Sequence, residues 1–386
     1  MKQNLGLYVH IPFCERKCLY CDFLSGPSNE QTKKEYVEAV KLEIKKLSYY
    51  KEKYKVVSIF FGGGTPSSIE AADLVSILDE LCTSFAIENR GEIEITVESN
   101  PGTLTKEKLD AYYKAGINRI SMGLQSTHNE ELQLLGRIHT YEEFLENYHA
   151  AKDAGFTNIN VDLMSALPNQ TEEGYEETLS RIIALQPTHI SAYSLIIEEG
   201  TPFYKKYGED QPLESTLPTE EEDRKMYHLT KTLLQENGYH RYEISNYALD
   251  GKECIHNSLY WTGTAYLGFG VGASSYIEGT RYHNIQETSA YIEAVKIKNE
   301  EELRCDIEEL SKNEKMEEFM FLGLRLTKGV SKAEFEKRFG TSMEEVYKEV
   351  LDKHQKEGLL EVGEDIVRLT EAGLDVSNYV MADFIM

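Results

Sequence analysis

Three cysteines, Cys14, Cys18 and Cys21, stand in the stretch Tyr8-Val-His-Ile-Pro-Phe-Cys14-Glu-Arg-Lys-Cys18-Leu-Tyr-Cys21. The spacing Cys-x3-Cys-x2-Cys delivers three thiolates from one short loop. A four-iron cluster has four metal corners and ordinarily takes four cysteine ligands, so three leave one iron open. An open iron can chelate the amino and carboxylate groups of S-adenosylmethionine, and the loop reads as the holder of a reactive cofactor. The other cysteines read more plainly. Cys82 lies in an apolar helical pattern with Leu78, Leu81 and Phe85, and Cys305 in a charged stretch; both fit unpaired thiols.

A second motif, Phe61-Gly62-Gly63-Gly64-Thr65-Pro66, directly follows a predicted strand. Glycines there let backbone N–H groups approach a ligand without interference from Cβ. No Gly-Lys-Ser/Thr follows, so it is not a phosphate-binding P-loop. A third motif, His256-Asn257-Ser-Leu-Tyr260-Trp261, holds the only tryptophan of the chain.

The elements that must position these motifs alternate. Short β-branched runs at 7–11, 56–61, 93–97, 119–122, 159–163 and 190–194 are separated by amphipathic helical patterns. Capping boxes are expected at Thr32/Glu35, Thr127/Glu130 and Thr140/Glu143, and left-handed helix ends at Gly116 and Gly155. Such β/α units with right-handed crossovers predict an α/β fold, a partial (β/α)6-type barrel over residues 1–200. An open doubly wound sheet is the alternative. Glu98, Gln125, Asp162 and Ser194 fall at or just past successive strand ends, where barrel enzymes assemble their sites. Residues 201–310 read as a connecting region with a helix capped by Thr219 and a Tyr-, Gly- and Asn-rich stretch that resists assignment. Residues 311–386 predict three helices and a two-stranded wing, a winged-helix-like α+β domain.

The chain has 386 residues and a net charge of −25. That balance excludes the clustered Lys and Arg that nucleic acid or an anionic membrane requires, so no nucleic-acid partner is expected even for the winged-helix-like domain. No apolar run reaches the length of a membrane helix. The motifs begin so close to Met1 that no room is left for a signal peptide. A cytoplasmic protein whose cysteines serve a metal rather than disulfides is the expectation.

The cysteine and glycine motifs together, with Tyr20 beside Cys21, resemble the radical S-adenosylmethionine superfamily. The string from Tyr8 to Cys14 narrows the resemblance to the branch of oxygen-independent coproporphyrinogen III oxidase and its relatives. The resemblance implies a radical S-adenosylmethionine barrel in which Cys14, Cys18 and Cys21 ligate a [4Fe–4S] cluster. It implies that Tyr8, Tyr20, Gly63, Gly64, Thr65 and Glu98 hold S-adenosyl-L-methionine. Gln125, Arg137 and Asp162 match positions lining the same cavity, where the dehydrogenase binds a second S-adenosylmethionine, and main-chain contacts near Ile196 would close it. Carboxylates at Glu98 and Asp162 can accept from hydroxyl or amine groups, and Arg137 offers a fork for a carboxylate. A structural role suits Gln125, Arg137 and Asp162 equally well.

Two departures set the sequence apart from that dehydrogenase. Phe23 stands where the enzyme has a fourth cysteine, and only thirteen residues precede Cys14. Both argue against coproporphyrinogen dehydrogenation, while S-adenosylmethionine cleavage stays open. The pattern His-Asn-x-x-Tyr-Trp resembles the haem-binding signature of HemW-type haem chaperones. That resemblance implies haem contacts at His256, Asn257, Tyr260 and Trp261, with His256 as lead axial ligand. Imidazole suits haem iron, and Tyr260 and Trp261 offer flat faces with polar tips. Cys254 is an alternative thiolate ligand, though a plain loop cysteine fits as well. The implied function is a carrier that hands haem to respiratory haem proteins, at the membrane only transiently. The rival readings are a radical enzyme acting on a porphyrinogen and a HemN-like methyltransferase; a redox-sensing winged-helix regulator is disfavoured by the acidic charge.

Overall fold

Six strands in chain order build a parallel core: β1 (Gln3–Ile11), β2 (Tyr54–Gly63), β3 (Glu94–Ser99), β4 (Arg119–Gln125), β5 (Ile159–Ser165) and β6 (His189–Ser194). Each lies parallel to the next. The protein, seen in a computed structural model, is described over residues 2–297 and 301–386. The crossovers are α1 (Glu30–Lys46), α2 (Ala71–Ser84), α3 (Lys106–Lys114), the pair α4 (Asn129–Leu135) and α5 (Tyr141–Ala154), and α6 (Glu172–Leu185). This is the expected partial (β/α)6 arrangement. The strands run a few residues beyond the apolar runs because their ends carry polar side chains, Gln125 and Ser165 among them, that do not read as strand.

Alternation sorts each strand's side chains. Leu5, Leu7, Val9 and Ile11 are fully buried in the layer shared with the helices, each contributing roughly 1.5–3 kcal/mol of burial. The intervening Gly6, Tyr8 and His10 face the barrel interior, where Gly6 and Tyr8 meet His256. The polar inner residues of β3, β4 and β5 follow the same period. They leave a cavity rather than a closed apolar core.

Helix ends agree with the sequence in part. Thr140 and Glu143 form the expected capping box, and Gly116 and Gly155 have φ of +88° and +108°. Helix α1 begins earlier than expected, because the Asn29 side chain accepts from the Thr32 backbone and takes the capping role. Thr127 caps nothing; its hydroxyl pairs with that of Thr178.

The connecting region continues the same sheet at both edges. It contains α7 (Tyr204–Tyr207), α8 (Glu220–Glu236), β7 (His240–Glu243), β8 (Asn246–Ala248), α9 (Ile255–Trp261), β9 (Tyr266–Phe269), β10 (Ser274–Ile277), β11 (Thr280–Asn284), α10 (Thr288–Ile297) and β12 (Arg304–Glu309). The sheet order is β12-β11-β10-β9-β1-β2-β3-β4-β5-β6-β8-β7, with β9 parallel to β1. One hydrophobic core runs from Leu5 to Leu303, so residues 201–310 pack into the barrel layer. Their strands are three to six residues long, too short for a period to emerge from a Tyr- and Gly-rich sequence.

The C-terminal portion has its own core, with Met320, Phe335, Met343, Leu351, Val367 and Phe384. Helices α11 (Lys312–Gly323), α12 (Lys332–Phe339) and α13 (Met343–Lys356) accompany β13 (Val330–Ser331), β14 (Leu360–Val362) and β15 (Ile366–Leu369). The predicted wing is the β14–β15 pair, to which β13 adds a third strand. Two short helices, α14 (Glu371–Asp375) and α15 (Ser377–Ala382), close the chain.

Candidate functional site

The cysteine loop leaves β1 and is pinched shut at its base. The Cys14 N–H donates to the Gly26 carbonyl at 3.0 Å and the Gly26 N–H to the Pro12 carbonyl at 2.9 Å. The Leu19 N–H reaches the Leu135 carbonyl at 3.0 Å, fixing the middle of the loop to the end of α4. Cys14, Cys18 and Cys21 thereby line one cavity of about 510 Å³ at the C-terminal ends of the strands.

Most of the predicted cradle lines that cavity: Tyr20, Gly63, Gly64, Glu98, Gln125, Arg137, Asp162 and Ile196. Gly63 has φ of +106°, and a Cβ there would lie 2.5 Å from the His10 ring, so the bend after β2 requires glycine. Tyr8 and Thr65 stand one layer behind. The Tyr8 hydroxyl pairs with His10 Nδ1 at 3.1 Å. The Thr65 hydroxyl donates to Cys14 Sγ at 3.5 Å.

Arg137 ties the parts together. Its guanidinium donates to Asn100 Oδ1 at 2.6 Å, to the Gly123 carbonyl, and to Cys18 Sγ at 3.5 Å. Asn100 in turn donates to the Thr65 hydroxyl at 2.7 Å. The sequence reading missed Asn100; its signal was the polar run Glu98-Ser-Asn100 ending a strand. It also missed Tyr193, whose hydroxyl donates to Gln125 Oε1 at 3.1 Å. Ser194, expected at a strand end, lines the cavity and donates to Asp223 at 2.6 Å.

Burial dominates the electrostatics. It pushes the Glu98 carboxyl up to about 8, reinforced by the nearby Asp162 charge and opposed by the Gly63 N–H, which donates at 3.3 Å. Asp162 is also raised by burial, although Asn160 donates to it at 2.7 Å. Near neutral pH this burial favours a protonated Glu98, and a cationic ligand group would draw it into the ionised form.

The donor set suits an iron–sulfur cluster. Three thiols face one cavity, with a guanidinium and a hydroxyl directed at two of the sulfurs. Among the described residues no three His, Cys, Asp or Glu side chains converge on a single ion. A cluster does not ask for that, since each thiolate takes a different iron corner.

The His-Asn-x-x-Tyr-Trp motif forms α9, packed against the inner faces of the first three strands. Glu94 caps the helix: its carboxylate accepts from the Ile255 N–H at 3.0 Å and the His256 N–H at 2.9 Å. A Cβ on Gly6 would lie 2.7 Å from the tip of Leu259 and 3.3 Å from the His256 ring, so the missing side chain leaves room for the helix to pack closely. His256 is 1% exposed. Its Nδ1 pairs with the Ser58 hydroxyl and its Nε2 with the Tyr260 hydroxyl, both at 2.9 Å, and its ring stacks on Phe60 at 5.0 Å. Burial lowers the imidazole to about 3, so the ring is neutral. As an axial ligand His256 would first have to give up one of these two hydrogen bonds, because neither nitrogen is free. Asn257 points into the cysteine-lined cavity. Trp261 lies under the Arg325 guanidinium at 4.3 Å and joins α9 to the C-terminal portion. Cys254 is fully buried, its thiol pushed up to about 12 chiefly by desolvation, which makes a thiolate ligand costly.

Comparison with known proteins places this geometry. Residues 8–182 match the family model of the Radical SAM superfamily, and residues 310–376 that of the HemN C-terminal domain. The Bacillus subtilis protein "Heme chaperone HemW" is 36% identical over 98% of each chain. The Lactococcus lactis protein of the same name is 36% identical over 98% of this chain and 97% of its own. Among solved structures, the coproporphyrinogen III oxidase HemN of Escherichia coli shares the fold, with a TM-score of 0.86 at 24% identity over 100% of this chain and 91% of that one. With full-length likeness at more than a third identity, a Radical SAM match over the cysteine loop and the matching C-terminal domain, the chain belongs to the HemW family of the Radical SAM superfamily.

Proposed function

We propose that this protein is a haem chaperone, binding haem and transferring it to respiratory haem proteins, on a scaffold that binds a [4Fe–4S] cluster and S-adenosylmethionine. The observation that carries the reading is the full-length likeness to proteins named haem chaperones. Cys14, Cys18 and Cys21 hold the cluster. Tyr20, Gly63, Gly64 and Glu98 receive S-adenosylmethionine, with Tyr8 and Thr65 supporting them from behind. Arg137, Gln125 and Asp162 give the same cavity its further polarity, Arg137 beside Cys18, and the backbone at Ile196 borders the mouth. Helix α9, with His256, Asn257, Tyr260 and Trp261, is the haem-handling element.

Among the described residues no helix is long and apolar enough to cross a membrane. Delivery then takes place from the cytoplasm, with acceptors met transiently at the membrane. The acidic charge disfavours nucleic acid as a partner.

A second reading is favoured by the completeness of the cavity, since a pure carrier has no need of a buried, protonatable Glu98 facing three thiols. When bound and reduced, the cluster supplies the electron for cleavage of S-adenosylmethionine. The chain's own part is to orient the ligand through Arg137 and Glu98 and to exclude water through the Tyr20 and Tyr193 rings. Anaerobic reconstitution followed by haem titration of the wild type and Cys18→Ala separates the readings. Haem uptake that survives loss of the cluster supports the carrier. Conversion of coproporphyrinogen III to protoporphyrinogen IX, or no haem uptake by the wild type, overturns it.

A further inference from the structure

A file of polar side chains crosses the barrel interior from the cysteine-lined cavity. Asp162 lines that cavity, and its Oδ1 accepts from Asn160 Nδ2 at 2.7 Å. Asn160 Oδ1 meets His189 Nδ1 at 2.6 Å, directly across the β5–β6 pair. His189 Nε2 meets the Tyr242 hydroxyl on β7 at 2.9 Å. That hydroxyl accepts from the N–H of Cys254 at 3.2 Å, the residue that precedes α9. Four hydrogen bonds thus join a wall of the cavity to the start of the helix that carries His256 and Asn257.

The series has one direction. The Cys254 amide can only donate, so Tyr242 accepts there and turns its own proton to His189 Nε2. His189 is fully buried, and desolvation, helped by the Arg119 charge, holds its imidazole well below the ordinary range. The ring is therefore neutral and carries its proton on Nδ1. Asn160 Oδ1 accepts that proton's bond, and a longer one from the Ser191 hydroxyl at 3.2 Å. This turns the Asn160 N–H groups to Asp162 and to the Ser121 hydroxyl, both at 2.7 Å. Every donor from the start of α9 onward points toward the Asp162 carboxylate.

An apolar side chain of the same size would fill the room of His189 but break the series in its middle. We propose that His189 is a positioning residue for the cysteine-lined cavity: through Asn160 it aims Asp162 at bound S-adenosylmethionine, and through Tyr242 it ties the ligand's presence to the order of α9. The inference rests on the reading that this cavity receives S-adenosylmethionine. A ligand donor that fixes the Asp162 carboxylate fixes Asn160, His189 and Tyr242 in turn, so the start of α9 opens less often when the cavity is filled.

The test is a calorimetric titration of the anaerobically reconstituted full chain with S-adenosylmethionine, with hydrogen exchange at amides 254–258 in the free and bound forms. An asparagine amide keeps an N–H near the place of Nδ1, and a glutamine amide keeps an oxygen near the place of Nε2. His189→Asn is therefore expected to keep wild-type affinity, and His189→Gln to bind about tenfold more weakly. In the wild type the ligand should slow exchange at these amides at least about fivefold, and both variants should lose that slowing. Tyr242→Phe, which keeps the ring, should bind as the wild type does and lose the slowing as well. Equal affinity in His189→Asn and His189→Gln overturns the positioning role, and slowing that persists in Tyr242→Phe overturns the link to α9. A wild type that takes up iron but binds no S-adenosylmethionine overturns the reading of the cavity instead.

Discussion

His256 Nδ1 lies 2.9 Å from the Ser58 hydroxyl, a contact across 198 residues of sequence inside the barrel. It fastens the helix that carries the haem signature to the second strand of the cluster-binding scaffold. The same ring pairs with Tyr260 through its other nitrogen. The signature is therefore first a packing device, and its effect on haem passes through the order of the barrel interior.

Truncating His256 to alanine should destabilise the haem-free protein by about 2–4 kcal/mol, since it opens a cavity and strands the hydroxyls of Ser58 and Tyr260. His256→Gln, which can still reach a hydrogen-bonding partner, should lose less. Urea unfolding of the apo forms measures both. Equal stability of wild type and His256→Ala would contradict the bracing role.

Glu94 offers a companion test. Its carboxylate accepts from two N–H groups at the start of α9 and from the Cys254 thiol at 3.5 Å. Hydrogen bonds to a charged group contribute about 1.5–3 kcal/mol, so Glu94→Ala should cost at least as much as a lost helix cap. Glu94→Gln should fall between it and the wild type. Hydrogen exchange at the 255–258 amides should rise in step with the loss of stability.

Legibility followed the size of the local signal. The six parallel strands show in sequence because each outer face is an aliphatic run such as Leu5, Leu7, Val9 and Ile11, and the cysteine spacing is self-contained. The edge strands β7 to β11 do not show, because three to five residues such as Tyr266–Phe269 are too few to reveal a period. Asn100 escaped notice since its value lies in joining Arg137 to Thr65 across three strand ends. The burial of His256 was unreadable because it depends on Gly6, a distant glycine whose missing side chain makes the room.

The Glu98 carboxyl gives the site a pH signature. Its folded value is raised to about 8, mainly by burial, against about 4.3 in an unfolded chain. Between those values the unfolded state gives up its proton while the folded state keeps it, so this group lowers stability as pH rises. A cationic ligand that pairs with the carboxylate reverses the preference and expels up to one proton. S-adenosylmethionine binding should therefore tighten from pH 6 to 8 and release protons at pH 7, read by calorimetry in two buffers of different ionisation enthalpy. Glu98→Gln should abolish the release, and a pH-independent wild type would refute the assignment.

Arg137 makes the sharpest demand on geometry. One guanidinium reaches Asn100, the Gly123 carbonyl and Cys18 Sγ together, joining the end of β4 to the cysteine loop. A lysine keeps the charge but is a single point without the planar fork, so it cannot serve three acceptors in different directions. The cysteines themselves are untouched, so Arg137→Lys should reconstitute to wild-type iron content. S-adenosylmethionine affinity should fall about tenfold or more, since the cavity loses its fixed donor beside Cys18. The reduced cluster's paramagnetic resonance spectrum, recorded with and without S-adenosylmethionine, distinguishes the two effects. A ligand-induced change of wild-type size at the same concentration would show that the fork does no more than hold the loop, whereas loss of iron would make Arg137 part of the cluster's own support.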